Sequence, residues 1–244
     1  MSTEDLASRA ARRPIPPDGL LLVGHGSRSP AGRAEMLSIG RLVSSSAPYL
    51  AVEVGFLELC DPPAPVALDR LAERGVARAS LVPLVLNAAG HAKSDAPAVL
   101  LGGRQRHHGI DLRYARPLGV DHTLVSMAAD SVAALGALGL PLAMLARGSS
   151  DPDANSDAFK AARLLAEVTG APLVEVGFSG ITWPSVPEAL ESLRRKGANR
   201  LVCVPWFLCT GVLVERLASD CVAFARRTGV QVLVAPTSAP DPNL

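Results

Sequence analysis

The 244-residue sequence predicts an α/β fold made of two tandem copies of one parallel-sheet unit. Three observations lead there. The run Val-Glu-Val-Gly-Phe at residues 52–56 recurs at 174–178, 122 positions later. Short Leu-rich or β-branched runs alternate with longer amphipathic stretches, the rhythm of βαβ units. The apolar runs are also continuous rather than alternating, as in strands covered on both faces of a sheet.

In chain order, residues 20–24 (Leu-Leu-Leu-Val-Gly) read as a buried strand and 31–45 as an amphipathic helix. Residues 52–56 form a second strand and 64–74 a second helix. Residues 79–86, an Ala-Ser-Leu-Val-Pro-Leu-Val-Leu run, form a third strand, 93–106 a third helix, and 112–116 a fourth strand. The pattern is βαβαβαβ, which implies right-handed crossovers and a sheet with helices on both faces. Held without gaps, the 122-residue offset also sets Gly26-Ser27 on Gly148-Ser149, Pro62 on Pro184, Gly75 on Gly197 and Val82-Pro83 on Val204-Pro205. The expected division is a polar extension at 1–17, a first half at 18–138 and a second at 139–244, with the boundary near Gly139 and Pro141.

Composition narrows the function. With 48% hydrophobic and 19% charged residues the chain is globular. Lysine and arginine number 24 against 23 acidic residues, so no basic field is present to draw nucleic acid. Cys60, Cys203, Cys209 and Cys221 form no CxxC pair and read as small buried hydrophobes in a reducing compartment. The extension lacks the apolar stretch of a signal peptide, and the apolar run 135–146 is too short for a membrane span and is broken by Gly139 and Pro141. A cytoplasmic protein without membrane partners is expected.

In parallel sheets ligands bind beyond the carboxyl ends of the strands. There the first half places Gly24-His25-Gly26-Ser27-Arg28, Phe56-Leu57-Glu58-Leu59, and Asn87-Ala88-Ala89-Gly90-His91-Ala92-Lys93. Two histidines and a carboxylate therefore converge on one edge. Imidazole and carboxylate suit late first-row divalent metals, and three protein ligands leave a position open for exchange. Alone, each residue has an ordinary explanation: His25 as a loop histidine, Glu58 as a cap or solvated group, Ser27 and Arg28 as the start of a helix, Lys93 as a solvated helix residue.

These motifs, Gly-His-Gly-Ser-Arg, Gly-Phe-Leu-Glu-Leu, and Val-Pro-Leu-Val-Leu followed by Gly-His-Ala-Lys, resemble the class II chelatases of the sirohydrochlorin cobaltochelatase and ferrochelatase group, in their two-domain form. The resemblance spans Leu20 to about Pro236. It implies a chelatase-like fold whose halves face each other across a cleft, with His25 and His91 binding the incoming metal and Glu58 assisting. The metal is then a substrate, Fe²⁺ or Co²⁺, with Ni²⁺ equally suited to these ligands, and no cofactor is permanently bound. The tetrapyrrole is a carboxylate-rimmed macrocycle, for which Ser27, Arg28, Lys93 and Arg147 are candidate anchors.

The second half departs from the motifs, because the offset places Arg147, Gly180 and Leu213 where His25, Glu58 and His91 stand. One active site per chain follows. Arg147 has two readings, a clamp for substrate carboxylate or an ion pair with Asp151 or Asp153. A histidine phosphatase fits poorly, since Gly24 precedes His25 where that chemistry needs arginine, and a dinucleotide fold lacks its third glycine. A metal or tetrapyrrole carrier without turnover remains the rival. Two facing halves can satisfy the interface a single-copy relative would make by dimerising, so a monomer is expected.

Overall fold

The computed structural model describes residues 18–87 and 94–238. Its elements run β1 (Asp18–Gly24), α1 (Pro30–Ser46), β2 (Leu50–Phe56), α2 (Ala64–Glu73), β3 (Arg78–Pro83), α3 (Ala96–Arg106), β4 (Asp111–Tyr114), α4 (His122–Ala134), β5 (Leu142–Ala146), α5 (Pro152–Thr169), β6 (Val174–Phe178), α6 (Val186–Arg195), β7 (Arg200–Pro205), α7 (Val212–Thr228) and β8 (Gln231–Val234). They make two four-stranded sheets with the orders β2-β1-β3-β4 and β6-β5-β7-β8. Every pairing is parallel, with Leu22 between Val54 and Val82 in the first sheet and Met144 between Val176 and Val204 in the second. The expected pair of parallel-sheet units is therefore present. The duplication reaches the backbone: Gly26 and Gly148, and Leu59 and Ile181, share positive φ at the same 122-residue spacing.

The strands read as apolar because neither face is left to water. All five residues of β5 are buried, as are five of the six in β7. Leu21, Val23, Leu68, Leu71, Leu81 and Leu100 pack on one side of the first sheet, while Leu22, Met36, Val54 and Phe56 pack under α1 on the other. Local signals end the helices where the chain must turn. The Asp151 side chain caps α5 by accepting from the Asp153 amide at 3.0 Å, and Gly170 closes that helix in the left-handed conformation. Cys203 and Cys221 are fully buried, as small hydrophobes would be, whereas Cys60 and Cys209 are only half-buried; all four thiols are free. No helix among the described residues is long and apolar enough to cross a membrane.

Most element boundaries lie within two residues of the sequence expectation, and three differences bear on the packing. Strand β3 stops at Pro83 rather than at 86, because the remaining leucines serve other cores. Leu84 packs with Leu22, Met36, Leu208 and Cys209, and Leu86 enters the core of the second half beside Val204 and Trp206. Strand β4 stops at Tyr114, ahead of Pro117. Helix α3 begins at Ala96, and the start expected at Lys93 lies outside the described residues. Helix α4 is additional to the βαβαβαβ pattern. It precedes residue 139, yet its Val125, Ala128, Ala129 and Val132 pack against Leu142, Met144 and Ala146 of the second sheet.

The halves are fastened by polar contacts at the loop after β7. The Trp206 indole N–H donates to Asn87 Oδ1 at 3.3 Å, and the Thr210 amide donates to Glu35 Oε2 at 2.6 Å. Beside the second contact, a Cβ on Gly32 of α1 would lie 2.4 Å from the Thr210 carbonyl oxygen. The pseudo-equivalent position holds alanine, Ala154, so the helix itself does not require glycine there. Helix propensity favours Gly32→Ala by about 1 kcal/mol. We expect the opposite, a loss of about 1–3 kcal/mol as the Thr210 loop is pushed away, read as a lower denaturation midpoint. A raised midpoint would show that the loop yields freely.

Candidate functional site

The first site residue is positioned by an inner strand. β1 ends at Gly24 between β2 and β3, and His25 follows at the carboxyl edge. In the 2-1-3-4 order the crevice opens between the ends of β1 and β3, where the crossover connections diverge. His25 is half-buried, with Nδ1 inside the protein. Its carbonyl accepts from the Glu58 amide at 2.9 Å, and Gly24 accepts from Leu57 at 3.0 Å, so the ends of β1 and β2 stay zipped beyond the strands. Gly26 then turns away at φ +107°, and a Cβ there would fall 1.8 Å from the Glu58 carbonyl oxygen. Only glycine allows both that φ and that approach.

The rest of the loop is clasped by Cys60, whose thiol accepts from the Ser27 amide at 3.3 Å and donates to the Ser27 carbonyl at 3.0 Å. The Ser27 hydroxyl accepts from the Ser29 amide at 3.1 Å, a turn repeated by Ser149 and the Asp151 amide at 3.0 Å in the second half. Ser27 thus shapes the loop, while its hydroxyl hydrogen remains able to donate into the crevice.

The two crevices meet in one cleft with two lobes. One lobe, about 460 Å³, lies between 84–87 with His25 on one side and 147–150 with Trp206 and Phe207 on the other. The second, about 590 Å³, extends over Gly26, Ser27, Arg28, Gly180, Cys209 and the start of α7. His25, Leu84, Arg147, Ile181, Phe207 and Leu208 line both. Each lobe is the size of a small-molecule site, ~300–1,000 Å³. Arg28, Arg33, Arg147 and Arg216 line the larger lobe with no aspartate or glutamate among its lining residues, a setting for a polyanion. Burial first, and Glu35 second, push the Cys209 thiol up to about 12, so it faces this lobe uncharged.

The structure brings together part of what the sequence proposed. His25, Ser27, Arg28 and Arg147 share the larger lobe. The second-half counterparts Arg147, Gly180 and Leu213 all line it too, so the two edges face each other. Glu58 adjoins His25 through the backbone, but it is exposed and lines neither lobe. His91, Lys93 and the 1–17 extension lie outside the described residues. Among the described residues no three His, Cys, Asp or Glu side chains gather into a metal-holding group. Sequence reasoning missed Arg33 and Arg216. Both sit near the N-terminal ends of helices that follow strand-end loops, Arg33 fourth in α1 and Arg216 fifth in α7, where a side chain can lean back toward the sheet edge.

Two pseudo-equivalent parallel sheets whose strand-end loops line one cleft, with four arginines in its larger lobe and a single histidine among the described residues, define a bilobal α/β protein. The chain belongs to the CbiX family, whose model matches residues 19–135 and 141–244. It is 34% identical over 204 residues to the sirohydrochlorin cobaltochelatase of Priestia megaterium, an alignment covering 81% of this chain and 66% of that protein, just under two thirds of its length. It is 28% identical to the sirohydrochlorin ferrochelatase of Bacillus subtilis, covering 82% and 78%. The solved structure of SirB from Bacillus subtilis with Fe³⁺ superposes with a TM-score of 0.82 at 25% identity, over 91% of this chain and 89% of that one.

Proposed function

We propose that this chain is a chelatase that inserts a divalent metal, Fe²⁺ or Co²⁺, into sirohydrochlorin. The observation that carries the reading is the position of His25, at the junction of two lobes of which the larger presents four arginines. Membership of the CbiX family and the names of its relatives point the same way.

Metal insertion requires the ion to shed water and a pair of pyrrole N–H protons to find a base. His25, with His91 as its partner ligand, holds the ion loosely as a neutral imidazole, and the macrocycle lies against His25 in the cleft. Of the two pyrrole protons, one passes to Glu58 or to a histidine released as the metal leaves it and the other to water, which also takes the first before the next turnover. Glu58 acts from the rim, kept beside His25 by the bond from its own amide. Arg28, Arg147 and Lys93 receive carboxylates, joined by Arg33 and Arg216, while the Ser27 hydroxyl donates from the loop. Product release carries the metal away, so the protein returns to its starting state. The two halves complete this site within one chain, and the protein works as a cytoplasmic monomer; elution from a sizing column at twice the chain mass would overturn that.

The test is the absorbance change of metal-free sirohydrochlorin mixed anaerobically with Fe²⁺, Co²⁺ or Ni²⁺ and catalytic amounts of protein. Conversion of many equivalents per chain is expected. Stoichiometric binding without turnover would instead make the protein a tetrapyrrole or metal carrier.

A further inference from the structure

The cleft rim carries a backbone feature that the chemistry above does not use. The Cys60 amide donates to the Glu58 carbonyl at 2.7 Å, and Leu59 between them has φ +64°. The Thr182 amide donates to the Gly180 carbonyl at 2.8 Å, and Ile181 between them has φ +71°. A bond from residue i+2 back to i around a residue of positive φ is the γ-turn of the rarer, strained hand. Glycine or asparagine would sit there with less strain, and for β-branched isoleucine the conformation is an outlier. Yet both halves place a large apolar side chain at this point, 53% exposed at Leu59 and 67% exposed at Ile181. Neither belongs to a hydrophobic core, so neither is held there by burial within the fold.

Both side chains line the larger lobe, one from each half. The turns are locked to the site loops: the Glu58 carbonyl nests over Gly26 and the Gly180 carbonyl over Gly148, where a Cβ would come within 1.8 and 2.3 Å. Strain kept at an exposed position beside a site points to a use in that site. We propose that Leu59 and Ile181 are positioning residues, a pair of apolar jaws that grip the ring of the tetrapyrrole while the arginines around the lobe take its carboxylates. The inference rests on the chelatase reading and adds to it the two residues that hold the face of the ring. The γ-turns aim the jaws, and the link through Gly26 fixes the first jaw relative to His25.

The experiment compares wild type with Leu59→Asn, Ile181→Asn and the double variant, since asparagine accepts positive φ. Three quantities are measured: thermal midpoint, the dissociation constant for metal-free sirohydrochlorin by absorbance titration, and KM and kcat for Co²⁺ insertion. The expected result is a midpoint equal to or above wild type, with Kd and KM raised about tenfold per site and kcat nearly unchanged. Leu59→Met and Ile181→Val should restore binding. Unchanged Kd and KM in a wild-type protein that turns over would overturn the jaws and leave the chelatase reading standing. A lowered midpoint, with binding lost in proportion and restored on cooling, would make the residues structural and overturn the proposal as well. A wild-type protein that neither binds nor converts sirohydrochlorin would remove the chelatase reading, and the jaws with it.

Discussion

His25→Ala is expected to lower kcat for metal insertion at least about a hundredfold, the scale on which a residue handling reacting protons or ions contributes. Stability should change by less than about 1 kcal/mol, because the side chain is half-buried at a strand end and belongs to no hydrophobic core. The reasoning is one of position. Among the described residues His25 is the single histidine in the cleft, it borders both lobes, and its loop is held by the Glu58 amide and the Cys60 thiol. Sirohydrochlorin binding should survive, since the arginines remain. The measurement is steady-state insertion of Co²⁺ and Fe²⁺ alongside a binding titration of the metal-free ring. Removing His91 as well should abolish what activity is left, and full activity in the His25→Ala/His91→Ala double variant would end this mechanism.

Gly26→Ala should be at least as damaging, for a different reason. The added methyl would stand 1.8 Å from the Glu58 carbonyl oxygen, a backbone atom that cannot swing aside, at a φ of +107° that alanine rarely adopts. Relief requires separating the ends of β1 and β2, which breaks the bond from the Glu58 amide to His25 and displaces the γ-turn at Leu59. We expect a loss of about 3 kcal/mol or more, with insertion activity lost even where the protein still folds. Chemical denaturation with activity measured well below the midpoint separates the two effects. A variant with wild-type stability would show that the loop has another conformation open to it. Gly148→Ala, which meets the Gly180 carbonyl at 2.3 Å, should cost comparable stability and disturb Arg147 in place of His25.

Much of this was legible in the linear sequence, because the signals are local. Runs such as Leu142–Ala146 reveal buried parallel strands by being apolar throughout. The repeat of Val-Glu-Val-Gly-Phe reveals two copies, and strand ends followed by Gly-His-Gly mark where a ligand edge lies. Other features had no local signal. The apolar run 79–86 looked like one strand, although the strand stops at Pro83: Leu84 packs in the first half's core beside Leu208 and Cys209, and Leu86 enters the core of the second half. Arg33 and Arg216 looked like ordinary helix residues until the halves were brought together. Glu58 is in sequence a plausible ligand, yet the turn at Leu59 leaves it exposed and outside the lining of both lobes.

Periodicity, turn chemistry and repetition act over a few residues at a time, and they specify the two parallel units, their strand-end loops and the asymmetry that leaves His25 in one half and Arg147 in the other. Folding adds that His25 and Arg147 border the same lobes, that Glu35 and Asn87 fasten the halves, and that Leu59 and Ile181 stand at one rim. Those relations join residues more than a hundred positions apart, and packing between the two units sets them, which no local pattern in the chain encodes.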